Sequence, residues 1–107
     1  MKIPKSFKLL GAEITVADNP SLLRDRNWNG CADYDTHRIE MVPRCDFYKA
    51  SNARYEQTFC HELAHFLTYY AGAAINHDLS GKYLHQNEEF VDLLGSLIHQ
   101  AFSTMEY

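Results

Sequence analysis

Phe59-Cys60-His61-Glu62-Leu63-Ala64-His65-Phe66 holds the pattern His-Glu-x-x-His in a segment that reads as helix. Apolar residues recur at helical spacing on either side (Phe59, Leu63, Phe66, Leu67 and Tyr70), and neither Pro nor Gly interrupts the run before Gly72. An α-helix turns once in about 3.6 residues, so side chains at i and i+4 leave the same face one turn apart. His61 and His65 are thereby presented as a pair, on the polar side of a helix that packs a core.

Two neutral imidazoles on one face suit Zn²⁺, which takes nitrogen or sulfur ligands in a tetrahedral shell and keeps a water when the protein supplies only three of them. Glu62 follows the first ligand directly. A carboxylate there can take a proton from the attacking water and later hand it to a leaving amine, the general base role of metalloprotease helices. The bland reading, a core helix with two hydrogen-bonded histidines, gives no reason for a Glu between them on a largely apolar helix.

Outward from the motif, 107 residues give room for one domain with a modest core. A hydrophobic content of 46% with 13% aromatic residues argues against disorder. The net charge of −4 comes with no basic stripe, so nucleic acid is not expected as a partner. Lys2, Lys5 and Lys8 read as a solvated end. No apolar run approaches the roughly 20 residues needed to span a bilayer, and the N-terminus lacks the apolar core of a signal peptide. A soluble, cytoplasmic protein with no membrane partner is the expectation. Cys31, Cys45 and Cys60 are scattered and odd in number, which suggests free thiols. Cys60 adjoins His61 but lies on a different part of the helix face from the ligand pair.

Strand signals precede Pro43 and helical ones follow it. Phe7 to Leu10 and Glu13 to Val16 read as an extended pair around Gly11, or as one strand with a bulge there. Leu22-Leu23 starts a short helical turn expected to end before Arg24. Trp28 to Tyr34 and His37 to Val42 form a hairpin turning near Asp35-Thr36, with Ile39 and Met41 alternating with wetter neighbours, and Pro43 ends its second strand. Asp46 to Asn52 connects to the motif helix, and Ser51-Asn52 offers a cap. Residues from Asn76 to His85 are loop-like. A last helix runs from about Asn87 to Met105, with Phe90, Val91, Leu93, Leu94, Leu97, Ile98 and Ala101 as a stripe wide enough to be wedged against both the sheet and the motif helix. The expected fold is α+β: a small antiparallel sheet from the N-terminal half packed on a zinc-binding helix and a C-terminal glutamate helix.

Two histidines leave zinc under-coordinated, so a third ligand should stand downstream on an element packed against the motif helix. Asn87-Glu88-Glu89-Phe90-Val91-Asp92 opens the last helix. His-Glu-x-x-His followed by a helix carrying Asn-Glu-x-x-x-Asp resembles the gluzincins, the thermolysin-like clan of zinc metallopeptidases. In outline, the hairpin from Gly30 to Ile39, the motif helix and the helix from Glu88 to Leu94 are similar to the minimal single-domain branch and to short phage-encoded proteins related to the ImmA/IrrE domain. The resemblance implies His61, His65 and Glu88 as ligands of one zinc ion, Glu62 as general base, and Asp92 hydrogen-bonded behind His61. Glu89 flanks the same apolar stripe at a similar angle, so periodicity alone leaves Glu89 open as the third ligand. The longer metzincin pattern is absent, because Thr68 and Ala71 stand where it needs Gly and His. His77 or His85 is an alternative third histidine, while His37 and His99 fall far from the motif.

The function implied is hydrolysis of peptide bonds in a peptide or protein substrate laid along the edge of the hairpin sheet. Amide hydrolysis also calls for a donor to the developing oxyanion, for which Tyr69, Tyr83, His85 and Tyr107 are available. The competing function is a non-catalytic, zinc-stabilised protein-binding module. An intact Glu62 favours catalysis, since a purely structural site has no use for a general base.

Overall fold

A computed structural model describes residues 1–43, 51–75 and 84–107, with side chains of 73–75 and 84 left aside. The element order is β1 (Ser6–Leu9), β2 (Ala12–Asp18), α1 (Ser21–Arg26), β3 (Gly30–Asp33), β4 (Arg38–Met41), α2 (Asn52–Ile75), a 3₁₀ turn (Leu84–Gln86) and α3 (Glu88–Thr104). The fold is α+β, with a four-stranded sheet from the N-terminal half covered by helices from the C-terminal half.

Each hairpin follows from its turn chemistry. β1 and β2 are antiparallel, and the two residues between them, Leu10 and Gly11, both have positive φ (49° and 83°). Such a tight turn matches the twist of its strands, and Gly at one of its two positions removes half the strain. Between β3 and β4, Asp33 Oδ1 accepts from the backbone N–H groups of Asp35 (3.1 Å) and Thr36 (3.2 Å), closing the turn at the expected place. The sheet order is β1-β2-β4-β3, and β2 pairs with β4 in parallel, Val16 opposite Ile39. The sheet is therefore mixed and not wholly antiparallel. After β2 the chain crosses through α1 to the far edge, comes back as β3, and slots β4 into the centre. β4 carries Ile39 and Met41, which are fully buried, and a strand buried on this scale is best placed centrally.

α1 runs three residues further than its leucines imply, to Arg26, and is capped by Asn27 in the left-handed region (φ 56°). Arg24, Asp25 and Arg26 face water, where helix costs them little, and arginines suit the carbonyl end of a helix. Ser51 Oγ accepts from Arg54 N–H (3.2 Å) and caps α2, while Asn87 Oδ1 accepts from Phe90 N–H (3.1 Å) and caps α3. Residues 46–50, expected as a connection, lie outside the described residues.

The core joins Ile14, Ile39 and Met41 of the sheet to Phe59, Cys60 and Phe66 of α2. α2 thus covers the sheet, and α3 packs on α2 and on the 3₁₀ turn. Val91 is fully buried in that contact and His99 Nε2 lies 3.2 Å from Glu56 Oε1, tying the helices together further along. The expectation that α3 is wedged between sheet and helix is corrected. Packed on α2 and the 3₁₀ turn, it buries one narrow face, and Phe90, Leu93 and Leu97 remain 41%, 59% and 53% exposed. Among the described residues no helix is long and apolar enough to cross a membrane.

Candidate metal centre

The site is built where α2 and α3 touch. Within the described residues, His61, His65 and Glu88 form a group whose potential ligand atoms all lie within 4.8 Å of one another. Glu88 Oε2 is 3.5 Å from His61 Nε2, and its Oε1 is 3.3 Å from His65 Nε2. Glu89 is exposed and stands outside the group. Of the two glutamates that periodicity left open, Glu88 is the one the structure brings to the histidines.

The partners behind the rings determine what the rings present. His65 Nδ1 lies 2.8 Å from the carbonyl oxygen of His85, which can only accept, so Nδ1 carries the proton. His61 Nδ1 lies 2.9 Å from Asp92 Oδ1, which as a carboxylate also accepts. Burial pushes the His65 pKa down and favours the neutral ring. With both rings neutral, both Nε2 atoms would turn lone pairs toward the Glu88 oxygens. Such a convergence of acceptors is repulsive by itself and fits a divalent cation, with ring N–H groups anchored as in metal-binding histidines. The cluster can hold a metal ion, and two imidazoles with one carboxylate are a donor set that zinc accepts.

Glu62 faces the sheet and is only 7% exposed. Among the described residues it has no ion-pair or hydrogen-bond partner, Arg54 included, yet neither of its oxygens is sealed from the surface without a partner. Burial, followed by the nearby Glu88 charge, lifts its pKa to about 8. It lines a cleft of about 610 Å³ together with His61, Asp92, Gly30, Trp28, Leu93 and Arg54. The cleft thus opens on the His61–Glu62 flank of the cluster.

Two glycines to which the sequence reading gave no role at the site make this geometry possible. A Cβ on Gly95 would lie 2.9 Å from His61 Cα and 3.0 Å from its N, so only glycine lets α3 come this close to the motif. A Cβ on Gly30 would lie 2.8 Å from Thr58 Cγ2 and 3.2 Å from Glu62 Cγ. A glycine in mid-helix, which costs about 1 kcal/mol against alanine, was the available signal for the first.

Of the oxyanion candidates, Tyr69 stacks on Tyr34 (4.4 Å between centroids, 9° between planes). The His85 ring meets both edge-on at 5.1 Å. Tyr34 was not singled out in the sequence. Its pKa is raised by burial and then by the charges of Glu62 and Glu88, which keeps the phenol protonated close to the site. Tyr107 is fully exposed at the chain end. His77 and Tyr83 lie outside the described residues. His37 occupies a positive-φ position in the β3–β4 turn (φ 54°). Cys60 is buried in the core, where desolvation pushes its thiol up to about 11 and keeps it inert. Compared with family models, with curated proteins and with solved structures, the chain finds no match.

Proposed function

We propose that the protein is a zinc-dependent peptidase of gluzincin type, with His61, His65 and Glu88 as metal ligands and Glu62 as general base. The observation that carries this reading is Glu62: a carboxyl buried beside the His/His/Glu group, without an ion-pair or hydrogen-bond partner among the described residues, and open to a cleft. A structural metal site has no need of such a group, and burying it is costly. Zinc, when bound there, would polarise a substrate carbonyl and make water a better nucleophile at neutral pH.

The chain's own residues do the rest. Asp92 and the His85 carbonyl hold the two rings in the tautomer and orientation that ligation needs. Glu62, as a carboxylate, takes the proton of the attacking water and returns it to the leaving amine. β3 is an edge strand, with β4 on one side and no strand on the other among the described residues, so an extended peptide can add to it and pass Glu62. The second reading is a zinc-stabilised binding module, in which the open edge of β3 takes up a peptide without cleaving it.

Glu62→Gln separates the two. A zinc-loaded parent should cleave members of a peptide library, and the variant should keep its zinc while losing about 10²–10⁴-fold in rate. No cleavage by the zinc-loaded parent transfers the assignment to the binding module.

A further inference from the structure

We infer that the cleft beside Glu62 is a substrate subsite that reads a carboxylate, with Arg54 gripping an acidic group of the peptide about three residues from the bond that is cut. This deepens the peptidase reading and rests on it. α2 places Arg54, Thr58, His61 and His65 at intervals of four, three and four residues, so all four leave one face of the helix. Arg54 and Thr58 line the cleft of about 610 Å³ together with His61 and Glu62, and among the described residues Arg54 is the one Lys or Arg that does so.

The other described arginines are engaged within the protein. Arg24 Nε lies 3.3 Å from Asp25 Oδ1, Arg38 Nε lies 3.9 Å from Glu40 Oε1, and the Arg26 guanidinium stands 5.0 Å from the centre of the Trp28 ring. Arg54 has no such partner among the described residues. Its backbone N–H donates to Ser51 Oγ and its carbonyl accepts from Thr58 Oγ1, while its guanidinium is left to the cleft. A guanidinium is a planar fork of donors that meets a carboxylate in two parallel bonds, so in a peptide the group it selects is a carboxylate.

Helix geometry sets how far that carboxylate stands from the reacting bond. Arg54 precedes His61 by two turns of α2, about 10 Å along the axis. An extended peptide covers that distance in about three residues. Gly30, the first residue of β3, forms part of the cleft wall, so a peptide added to the β3 edge and passing Glu62 runs on into the cleft. The two ends of the cleft differ in charge. Glu62 and Asp92 stand at the metal end and Arg54 two turns away, so a carboxylate next to the cut bond is repelled while one at the Arg54 end is drawn in.

Blocked peptides of about eight residues, each with one Glu, Gln or Lys scanned along an otherwise neutral chain, test this on the zinc-loaded protein beside free-acid versions. Mass spectrometry of the products locates the cut bond. A Glu about three residues away on the cleft side should raise kcat/KM about tenfold over Gln, and Lys should lower it. Salt should weaken that preference. Arg54→Gln should erase the difference between Glu and Gln, and Arg54→Glu should turn the preference to Lys; Arg54 is exposed, so neither change disturbs the core. A gain in blocked peptides assigns the group to a side chain and a gain confined to free acids assigns it to the chain end, and either supports the subsite. Equal cleavage of all these peptides, or a preference that survives Arg54→Gln, overturns it. The single tryptophan, Trp28, lines the same cleft, so its fluorescence reports peptide binding without cleavage. If the zinc-loaded parent cuts nothing, the peptidase reading fails, and tighter binding of acidic peptides that Arg54→Gln abolishes still supports the carboxylate subsite. Equal binding of acidic and neutral peptides would overturn the subsite as well.

Discussion

The two helices that wall the metal centre are held in place by different means. α2 is nailed to the sheet through Phe59, Cys60 and Phe66, all buried, so His61 and His65 stand on a helix that the core has already positioned. α3 supplies its site residues from its first turns, where the Glu88 and Asp92 side chains are 68% and 77% exposed, and its grip on α2 rests on Val91, Gly95 and the pairs across the site. The lesson is that one wall of the site is preorganised by folding, while the other would be completed by a bound metal ion. A cation between them would be the strongest single link from α3 to α2.

The largest effect should come from the ligands themselves. His61→Ala, His65→Ala and Glu88→Ala should each abolish stoichiometric zinc, measured by metal analysis after dialysis, whereas Glu89→Ala should leave it intact. If the metal completes the α3 wall, zinc should raise the thermal midpoint of the parent and not of these three variants. Equal zinc in all four would remove the site.

Next in size is a pH effect confined to the α2 wall. Glu62 has its pKa raised from 4.5 to about 8 in the folded, metal-free chain. The folded state therefore binds this proton more tightly than the unfolded state. Its contribution to stability is full below about pH 4.5 and is lost as the pH rises through about 8, a change on the order of 4 kcal/mol. Urea unfolding of the metal-free parent and of Glu62→Gln, compared from pH 5 to 9, should show the variant gaining relative stability toward alkaline pH. Parallel curves would mean that Glu62 is better solvated than its burial implies.

Gly95→Ala probes the junction. The added methyl meets backbone of His61 and Cys60 at 2.9–3.2 Å, which cannot swing aside as a side chain can. A net loss of about 1–3 kcal/mol is expected from overpacking, despite the better helix propensity of alanine. Zinc affinity should fall with it, because α3 carries Glu88. A variant more stable than the parent would show that the helices can separate without cost.

The smallest change expected is at Asp92. Asp92→Asn should lower zinc affinity about 10–100-fold by loosening the His61 ring, leaving the fold unaltered. The substitution stands on the α3 wall and acts through the His61 ring of α2, so competition with a zinc chelator is the fitting measurement. An affinity equal to the parent's would show that the 2.9 Å contact with His61 does not orient the ring.

Much was legible in the chain because it is local. The spacing of His61, Glu62 and His65 on one helix, the hairpin turn near Asp35-Thr36, the Ser51 cap and the break at Pro43 depend on neighbours a few positions away, and local geometry follows from local sequence. The α+β class followed from the same signals. Glu88 and Glu89 could not be separated by periodicity, since both flank the stripe at similar angles, and only the way α3 lies on α2 brings Glu88 alone to the histidines.

What tertiary structure decided was every matter of long-range order. The parallel pairing of β2 with β4 depends on where the chain returns after α1, which no short pattern encodes. The exposure of Phe90, Leu93 and Leu97 depends on how many neighbours α3 has, and an apolar stripe reads the same whether it is covered by a sheet or faces water. Gly30 and Gly95 look like helix and strand weaknesses in the chain and become close contacts only when Glu62 and His61 are brought against them. By itself the sequence determined which side chains could carry the chemistry, because a helix repeats over a few residues. Their burial, their partners and the raised pKa of Glu62 were decided by packing, because burial is a property of what lies across the fold and not of what lies next in the chain.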